Sequence, residues 1–328
     1  MESWSRGDGV LAISFDIANA FNSIPPCTIL EALKYHGVPQ YICRLLQDYL
    51  EDRDVLFVGR DGRLRRFRVE CGVPQGSVLG PLLWNIGFDW LLRCALLPGT
   101  SVICYADDTL MIARGKSYWE AAALATVSGG LIARRIGRLG LKVALEKTEA
   151  IYFAKPRQRH PPPGAHIVIE GVRVEVKARL KYLGLTLDPR WQFGPHFAGL
   201  SSRLLKTADS LSWLLPNLGG PKAGCRKLYA GILKSMALYG APIWVGSLQR
   251  RDNLTHLQRP QRAIAQRIAR CYRTVGFAAA CALAGTPPWE LEAVVQTKVY
   301  CRTAEQKALG ERPAPEECGT VRRELTEH

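Results

Sequence analysis

The chain has 328 residues, of which 47% are hydrophobic and 22% charged, so it is long enough for about two folded domains and is not a disordered tail. Lysine and arginine number 44 against 29 aspartate and glutamate residues, and the net charge of +15 favours a polyanionic partner, nucleic acid before membrane. No stretch approaches the roughly 20 apolar residues of a membrane span, and residues 1–10 are too polar for a signal peptide.

Strand and helix patterns alternate as far as about residue 190, and the patterns after it are helical. In chain order, we predict a strand over 11–17, helices over 26–35 and 39–50, a strand pair over 54–58 and 66–71, a helix over 78–93, a tight hairpin of 102–106 and 109–113 joined at Asp107-Asp108, a helix over 117–139, a strand over 148–153, a proline-rich basic loop over 155–164, strands over 166–170, 172–176 and 180–187, and helices over 197–215, 221–239 and 253–272. We expect the tail after Leu309 to fray.

The ten cysteines form no Cys-x-x-Cys pair, so their spacing does not predict a zinc site. Most of them lie in apolar runs, where cysteine behaves as a small hydrophobic residue. We therefore expect reduced thiols in an intracellular compartment.

Most of the positive charge lies in one segment. Residues 192–275 hold 13 lysines and arginines against only Asp209 and Asp252. This segment is the candidate nucleic-acid-binding part of the chain, and the alternative is a well-solvated helical surface.

Three carboxylates stand at unusual places in the pattern. Asp16 ends an apolar strand, and Asp107 and Asp108 lie in the turn of an apolar hairpin. Burying a carboxylate there is costly unless a cation neutralises it, and aspartates from two adjacent strands supply the oxygen ligands that Mg²⁺ prefers. Taken separately, Asp16 is also compatible with a helix cap and Asp107-Asp108 with an ordinary acidic turn.

Five blocks of sequence give these carboxylates a context. In chain order they are Phe15-Asp16-Ile17-Ala18-Asn19-Ala20-Phe21, Gly72-Val73-Pro74-Gln75-Gly76-Ser77, Tyr105-Ala106-Asp107-Asp108, Leu139-Gly140-Leu141 with Glu146-Lys147-Thr148, and Tyr182-Leu183-Gly184. In this order and spacing they resemble the reverse transcriptases, most closely those of LINE-type (non-LTR) retrotransposons. The resemblance extends over about residues 10–290, because the stretch from Leu238 to Trp244 is also similar to those elements.

The resemblance implies that Asp16, Asp107 and Asp108 are catalytic and bind two Mg²⁺ ions, with Mn²⁺ as a possible substitute. Phe21 would close the sugar pocket and exclude a 2′-hydroxyl, and its alternative is a core aromatic. Nucleotide binding would also involve Gln75 and Gly76 beneath the nascent base pair, although Pro-Gln-Gly alone is an ordinary turn.

The remaining roles follow from the same resemblance. Lys147 would lie near the leaving pyrophosphate, where an ammonium offsets developing charge; otherwise it is a surface lysine. Tyr182, Leu183 and Gly184 would grip the primer end. The basic helices would contact duplex phosphates without reading sequence, and the candidate contacts are Arg203, Lys206, Arg226 and Lys227.

The implied fold is α+β, a polymerase palm in which helices back an antiparallel sheet, followed by a helical thumb. The expected domains are a catalytic palm over 1–190, a basic thumb over 191–275 and a helical extension and tail over 276–328. Only 15 residues precede Asp16. We therefore expect the fingers region of the family to be lacking, and the chain to be either a truncated copy or a partial gene model.

The resemblance thus implies an RNA-directed DNA polymerase whose partners are an RNA template, a DNA primer and deoxynucleoside triphosphates. We expect it inside the cell, in the nucleus and in a cytoplasmic RNA–protein particle. Two alternatives stay open. One is a catalytically inactive nucleic-acid-binding remnant of such an element; the other is a maturase of the group II intron type, although no maturase segment is recognisable. Membrane association is not expected, and the sequence does not predict an oligomeric state.

Overall fold

A computed structural model describes residues 9–154, 161–213, 215–216, 219–310 and 319. The chain divides into two units, Met1–Leu183 and Gly184–His328. Residues 155–160, most of the predicted proline-rich loop, and nearly all of the tail after Gly310 lie outside the described residues.

The first unit is built on a four-stranded sheet with the order β4-β5-β1-β6. Its strands are β1 (Gly9–Phe15), β4 (Thr100–Tyr105), β5 (Asp108–Gly115) and β6 (Glu149–Phe153). Every neighbouring pair in this sheet is antiparallel, with β1 in the centre between β5 and β6. The strand predicted over 11–17 is therefore central, spans Gly9–Phe15 and is buried on both faces for most of its length.

Helices cover one face of this sheet. The long helix α5 (Tyr118–Arg138) packs on β5 and β1. Its small residues allow close approach, since a Cβ on Gly129 would lie 3.0 Å from Cδ1 of Ile169. The helices α2 (Pro26–Tyr35) and α3 (Gln40–Leu50) pack on each other, and α2 also packs on α4 (Gly80–Leu92). Their apolar residues join the strands in one hydrophobic core.

Short elements complete the first unit. The helix α1 (Ala20–Ser23) follows β1, and a 3₁₀ turn (Leu145–Lys147) precedes β6. Two antiparallel hairpins, β2 (Arg53–Val58) with β3 (Leu64–Val69) and β7 (His166–Ile169) with β8 (Val172–Glu175), lie outside the main sheet. The unit ends with β9 (Leu180–Tyr182).

The second unit is helical apart from β10 (Leu185–Leu187). Its helices are α6 (Gly194–Ser212), α7 (Ala223–Leu238), α8 (Ala241–Trp244), α9 (Arg251–Ala269), α10 (Phe277–Ala284) and α11 (Trp289–Ala308). The helix α9 is central, because α6, α7, α10 and α11 all pack against it. Within the described residues, no helix is both long and apolar enough to cross a membrane.

The predicted α+β class with an antiparallel sheet is confirmed. Several local predictions need correction, among them the helix predicted over 197–215, which spans Gly194–Ser212. The hairpin turn consists of Ala106 and Asp107, because Asp108 already pairs with Tyr105. The predicted strand over 180–187 is interrupted at Leu183 and Gly184, both of which have positive φ angles. The helix predicted over 253–272 ends at Ala269, because Arg270 adopts a left-handed conformation.

Candidate active site

The strand register brings two of the three aspartates side by side. Phe15 in β1 pairs with Thr109 in β5, so one further step along the register sets Asp16 opposite Asp108. Residues opposite each other on neighbouring strands point to the same face of a sheet. Phe15 and Thr109 are buried, whereas Asp16 and Asp108 are exposed on the other face. Asp107 is next to them in the turn, so the three carboxylates gather at one end of the sheet.

The pKa of Asp108 also reflects the closeness of the three carboxylates. Burial raises the pKa of Asp108 above its ordinary value, and the negative charges of Asp107 and then Asp16 raise it further. The negative charges of Asp107 and Asp16 thus act on Asp108 at this end of the sheet. The site is therefore short of positive charge.

Lys147 supplies part of that charge. Its Nζ lies 3.6 Å from Oδ2 of Asp16, although the two residues are 131 positions apart. Backbone hydrogen bonds hold the two segments together: the N–H of Ala144 donates to the carbonyl of Asp16 at 2.8 Å, and the N–H of Ala18 donates to that of Lys142 at 2.9 Å. The 3₁₀ turn then directs Lys147 toward the carboxylates.

A divalent metal fits the chemistry of this end of the sheet. In the described part of the chain, no group of three or more His, Cys, Asp or Glu residues is already arranged to hold a metal ion. Carboxylate oxygens are nevertheless the ligands that Mg²⁺ prefers, and the mutual repulsion around Asp108 is what a cation would relieve. Asp16, Asp107 and Asp108 are the residues that would hold it.

Phe21 lies in α1, just beyond the strand end that carries Asp16. Its ring is 4.7 Å from that of Trp84, which is fully buried and stacks on Phe88 at 5.0 Å. Phe21 itself is only partly buried. The ring is therefore backed by a rigid aromatic stack on one side and open on the other, which suits an aromatic wall of a pocket.

The loop that contains Gln75 packs against α1. The N–H of Val73 donates to the carbonyl of Phe21 at 2.8 Å, and Gly72, with φ of 82°, approaches so closely that a Cβ there would lie 2.5 Å from Cα of Asn22. Only glycine permits both the positive φ and this approach. Gln75 Nε2 donates to Oδ1 of Asn22 at 3.3 Å. The structure thus brings Phe21 and Gln75 together, with Gly76 exposed beside them.

Tyr182 also lies near the carboxylates. Burial raises the pKa of the Tyr182 hydroxyl, and the charge of Asp108 adds to that effect, followed by that of Cys104. Leu183 and Gly184 follow with φ angles of 45° and 79°. Tyr182 and Leu183 belong to the first unit, and Gly184 begins the second.

The four residues predicted to contact phosphates do not lie together on one surface. Arg203 and Lys206 are exposed on α6, and Lys227 is exposed on α7. Arg203 lines a groove with Ser235 and Tyr239, whereas Lys227 lines a different groove beside α11. The structure therefore leaves these three cations accessible but separates Lys227 from Arg203.

The position of Arg226 contradicts its predicted role. Its side chain is 0% exposed, and its guanidinium donates to five backbone carbonyls, those of Leu215, Pro216, Gly219, Pro221 and Arg267. Every nitrogen of the guanidinium is used within the protein. The expectation that Arg226 contacts phosphate is therefore wrong, because the group is sequestered in a cage of carbonyl oxygens.

Two residues that position the site escaped the sequence analysis. Asn22 joins Gln75 to α1 and also donates through Nδ2 to Oδ1 of Asn19 at 2.8 Å. Trp84 supports the ring of Phe21. In the sequence, Asn19 and Asn22 are visible as a pair at helical spacing, and Trp84 as an aromatic residue in an apolar helix. Neither pattern identifies Gln75 or Phe21 as the residue that is contacted.

The reverse transcriptase (RNA-dependent DNA polymerase) family matches residues 3–187, which include all five motif blocks. The chain is 29% identical over 290 residues to a retrovirus-related Pol polyprotein from the type-1 retrotransposable element R1 of Bradysia coprophila, covering 87% of this chain and 28% of that protein. It is 29% identical over 273 residues to a probable RNA-directed DNA polymerase from transposon BS of Drosophila melanogaster, covering 79% of this chain and 29% of that protein.

The chain thus spans less than a third of the length of these two relatives. Among solved structures, it is similar to a telomerase from Candida tropicalis in complex with a fragment of telomeric RNA. That similarity covers 97% of this chain and 49% of the telomerase, at 13% sequence identity and a TM-score of 0.41.

Proposed function

Because the chain belongs to the reverse transcriptase family, and its relatives come from LINE-type retrotransposons, we propose that its first unit catalyses RNA-directed DNA synthesis. The 3′-hydroxyl oxygen of a DNA primer forms a bond to the α-phosphorus of a deoxynucleoside triphosphate, and the bond to the departing pyrophosphate breaks. The observation that carries this proposal is the register that sets Asp16 beside Asp108, with Asp107 in the adjoining turn.

These carboxylates are proposed to bind Mg²⁺, two ions in all, with Mn²⁺ as a substitute. When bound there, divalent ions would supply the charge that activates the attacking hydroxyl and stabilises the leaving phosphates. Lys147, 3.6 Å from Asp16, offsets the negative charge of the pyrophosphate as it departs. The palm proposed for this chemistry covers residues 1–190.

Substrate selection is assigned to the loop and ring packed on α1. The half-buried ring of Phe21 closes the sugar pocket and disfavours a 2′-hydroxyl. Gln75 and Gly76 lie under the new base pair, where glycine leaves room for the backbone to approach. The tie between Gln75 and Asn22 supports this placement, since it holds both features to one short helix. Tyr182, Leu183 and Gly184 are proposed to hold the primer end.

The proposed partners are an RNA template and a DNA primer, paired as a duplex. Residues 191–275 are proposed as the thumb, and residues 276–328 as a helical extension. The excess of positive charge over 192–275 supports this assignment, with Arg203, Lys206 and Lys227 as the exposed contacts. Such contacts hold the backbone without reading the sequence.

The test is primer extension on a ribonucleotide template with Mg²⁺, comparing the wild-type chain with Asp107→Asn and with Asp48→Asn. Asparagine keeps the shape of aspartate and removes the charge that the metal needs. We expect Asp107→Asn to abolish extension and to retain duplex binding. Asp48, an exposed aspartate on α3, is the matched control, and its variant should extend normally. Normal extension by Asp107→Asn contradicts the proposal, and a wild-type chain that binds the duplex without extending it supports the inactive remnant.

A further inference from the structure

The second unit contains an arginine-lined cavity of about 490 Å³ between α6, α9 and the segment after α9. Arg259, Arg262, Arg267 and Arg273 line it, and Asp209 is the one carboxylate among the described lining residues. Its volume falls within the range of about 300–1,000 Å³ that is usual for ligand sites. None of the motif blocks accounts for this concentration of like charge.

Two hydrogen-bonding side chains organise the cavity wall. Arg262 donates through Nε to the carbonyl of Val275 and through Nη2 to that of Arg273, both at 3.0 Å. Gln266 Nε2 donates to the same two carbonyls at 2.9 and 3.1 Å. These bonds tie the segment carrying Arg273 to α9 and orient the guanidinium of Arg262. Its Nη1 has no hydrogen-bond partner in the part of the chain that the structure describes.

Three of the arginines that line the cavity are in no ion pair within the part of the chain that the structure describes. These are Arg259, Arg262 and Arg273. Four arginines on the wall of one concave site attract anions. Arginine presents a planar fork of N–H groups that matches two oxygens of a phosphate, so a phosphate group is the ligand that this wall fits.

Two exposed aromatic residues are next in sequence to residues that line the cavity. Trp213 follows the lining residue Ser212, and Tyr272 lies between the lining residues Cys271 and Arg273. Consecutive Cα atoms are about 3.8 Å apart, so both rings start from the rim. Trp213 is 87% exposed and Tyr272 84% exposed, and neither ring contacts another ring in the described chain. Rings exposed to this degree are available to stack on a ligand.

From this arrangement we propose that the cavity binds a single strand of nucleic acid. The arginines hold its phosphodiester groups, and Trp213 and Tyr272 stack on the flanking bases. A basic groove combined with aromatic platforms is the usual way of holding unpaired strands, because every base has a face on which a ring can stack. A duplex keeps its bases stacked on one another and leaves the two rings unused. The site belongs to the second unit alone and does not depend on nucleotidyl transfer.

The test is fluorescence anisotropy of the full chain with a labelled single-stranded oligonucleotide and with the duplex of the same sequence. The double variant Arg259→Gln/Arg273→Gln should weaken single-strand binding at least tenfold, roughly the effect of losing one charged hydrogen bond. It should also lower the magnitude of the salt slope by about 1.4, which is about 0.7 for each of two phosphates. The matched control is Arg250→Gln/Arg251→Gln, which removes the same charge at the other end of α9 and should change affinity far less.

Two further variants separate a built site from diffuse attraction. Arg259→Lys/Arg273→Lys keeps the charge but loses the planar fork, so it should also weaken binding. Trp213→Ala should weaken single-strand binding about fivefold or more and leave duplex binding unchanged. Circular dichroism should show the same melting temperature for these variants and the wild type.

Four results would overturn the proposal: no single-strand binding by the wild type, equal losses in the glutamine and control variants, full affinity in the lysine variant, or displacement of the strand by inorganic tripolyphosphate at an equal phosphate concentration. The last result would assign the cavity to free phosphates. Failure of the wild type to extend a primer would bear on the proposed catalysis only, since every readout here is binding.

Discussion

Arg226 offers the sharpest test of how the second unit is held together. Its guanidinium donates to the carbonyls of Leu215, Pro216, Gly219 and Pro221 in the segment before α7, and to that of Arg267 near the end of α9. Burial lowers the pKa of Arg226 from its ordinary value, with the nearby charges of Arg270 and Arg267 acting in the same direction. It stays protonated at neutral pH all the same. One buried cation thus joins a loop to the central helix.

Arg226→Met removes the donors and keeps a side chain of similar length. Hydrogen bonds to charged groups contribute about 1.5–3 kcal/mol each, but contributions from one group are not additive. Removing one partner of a buried charged interaction typically costs about 3–5 kcal/mol. We expect a loss of that size, which is a large part of the roughly 5–15 kcal/mol that holds a domain folded. Arg226→Lys should recover only part of it, because one ammonium cannot reach five separate carbonyls.

The assay is equilibrium unfolding in urea, followed by circular dichroism, with the two units expected to unfold as separate transitions. The free energy of unfolding should decrease for the transition of the second unit and stay unchanged for that of the first. Lys227→Met is the matched control, because Lys227 is the next residue on α7 and is exposed, so its change should stay within about 0.5 kcal/mol. A loss below about 1 kcal/mol for Arg226→Met, or one equal to that of the control, would refute the reasoning.

Three further predictions concern pH, packing and selectivity. Burial lowers the pKa of His196 to about 4 from an ordinary 6.5, so between these pH values the unfolded chain binds a proton that the folded chain does not. The free energy of unfolding of the second unit should therefore fall by about 3 kcal/mol as the pH drops from 6.5 to 4. Denaturant titrations across that pH range should show this fall, and His196→Gln should remove most of the pH dependence. Gly72→Ala should cost the first unit about 2–4 kcal/mol in urea unfolding, because the added Cβ meets the backbone of Asn22 at a positive φ. Phe21→Ala should raise the ratio of ribonucleotide to deoxynucleotide incorporation, measured in parallel extension reactions.

The controls for these three differ. An unchanged pH profile in His196→Gln would show that other groups carry the acid sensitivity. Gly76→Ala is a matched partner for Gly72→Ala, since both glycines have φ of 82° but only Gly72 faces a backbone, so equal losses would contradict the steric argument. An unchanged incorporation ratio would assign Phe21 to the core alone.

Much of the first unit was predictable from local pattern. The apolar run over 11–17 and the run after Asp108 are strands because their alternation and β-branched residues suit a pleated, buried surface. The bounds of α2 and α3 follow from the prolines before them and from Gly37 after α2. The order of the five motif blocks also required no structure, since it is a property of the chain itself.

The element boundaries and residue contacts that the sequence did not predict correctly depend on residues far away in the chain. From the sequence alone, different neighbouring pairs within Tyr105-Ala106-Asp107-Asp108 could form a two-residue turn. In the structure Tyr105 pairs with Asp108, so Ala106 and Asp107 form it. That choice sets the side of the sheet to which Asp108 points, because side chains alternate with a period of two. The 3.6 Å approach of Lys147 to Asp16 likewise depends on backbone bonds between segments more than 120 residues apart.

By itself, the sequence determined the chemical types present, their order along the chain and the local elements that carry them, because propensity, periodicity and turn chemistry act over a few neighbouring residues. Only the tertiary structure decided which cations are free to meet a ligand. Arginine is exposed by default, so no local pattern separates Arg226, enclosed by five carbonyls, from Arg259 at the edge of an open cavity. The difference lies in where distant backbone segments place their oxygens, and that is settled only when the helices of the second unit pack.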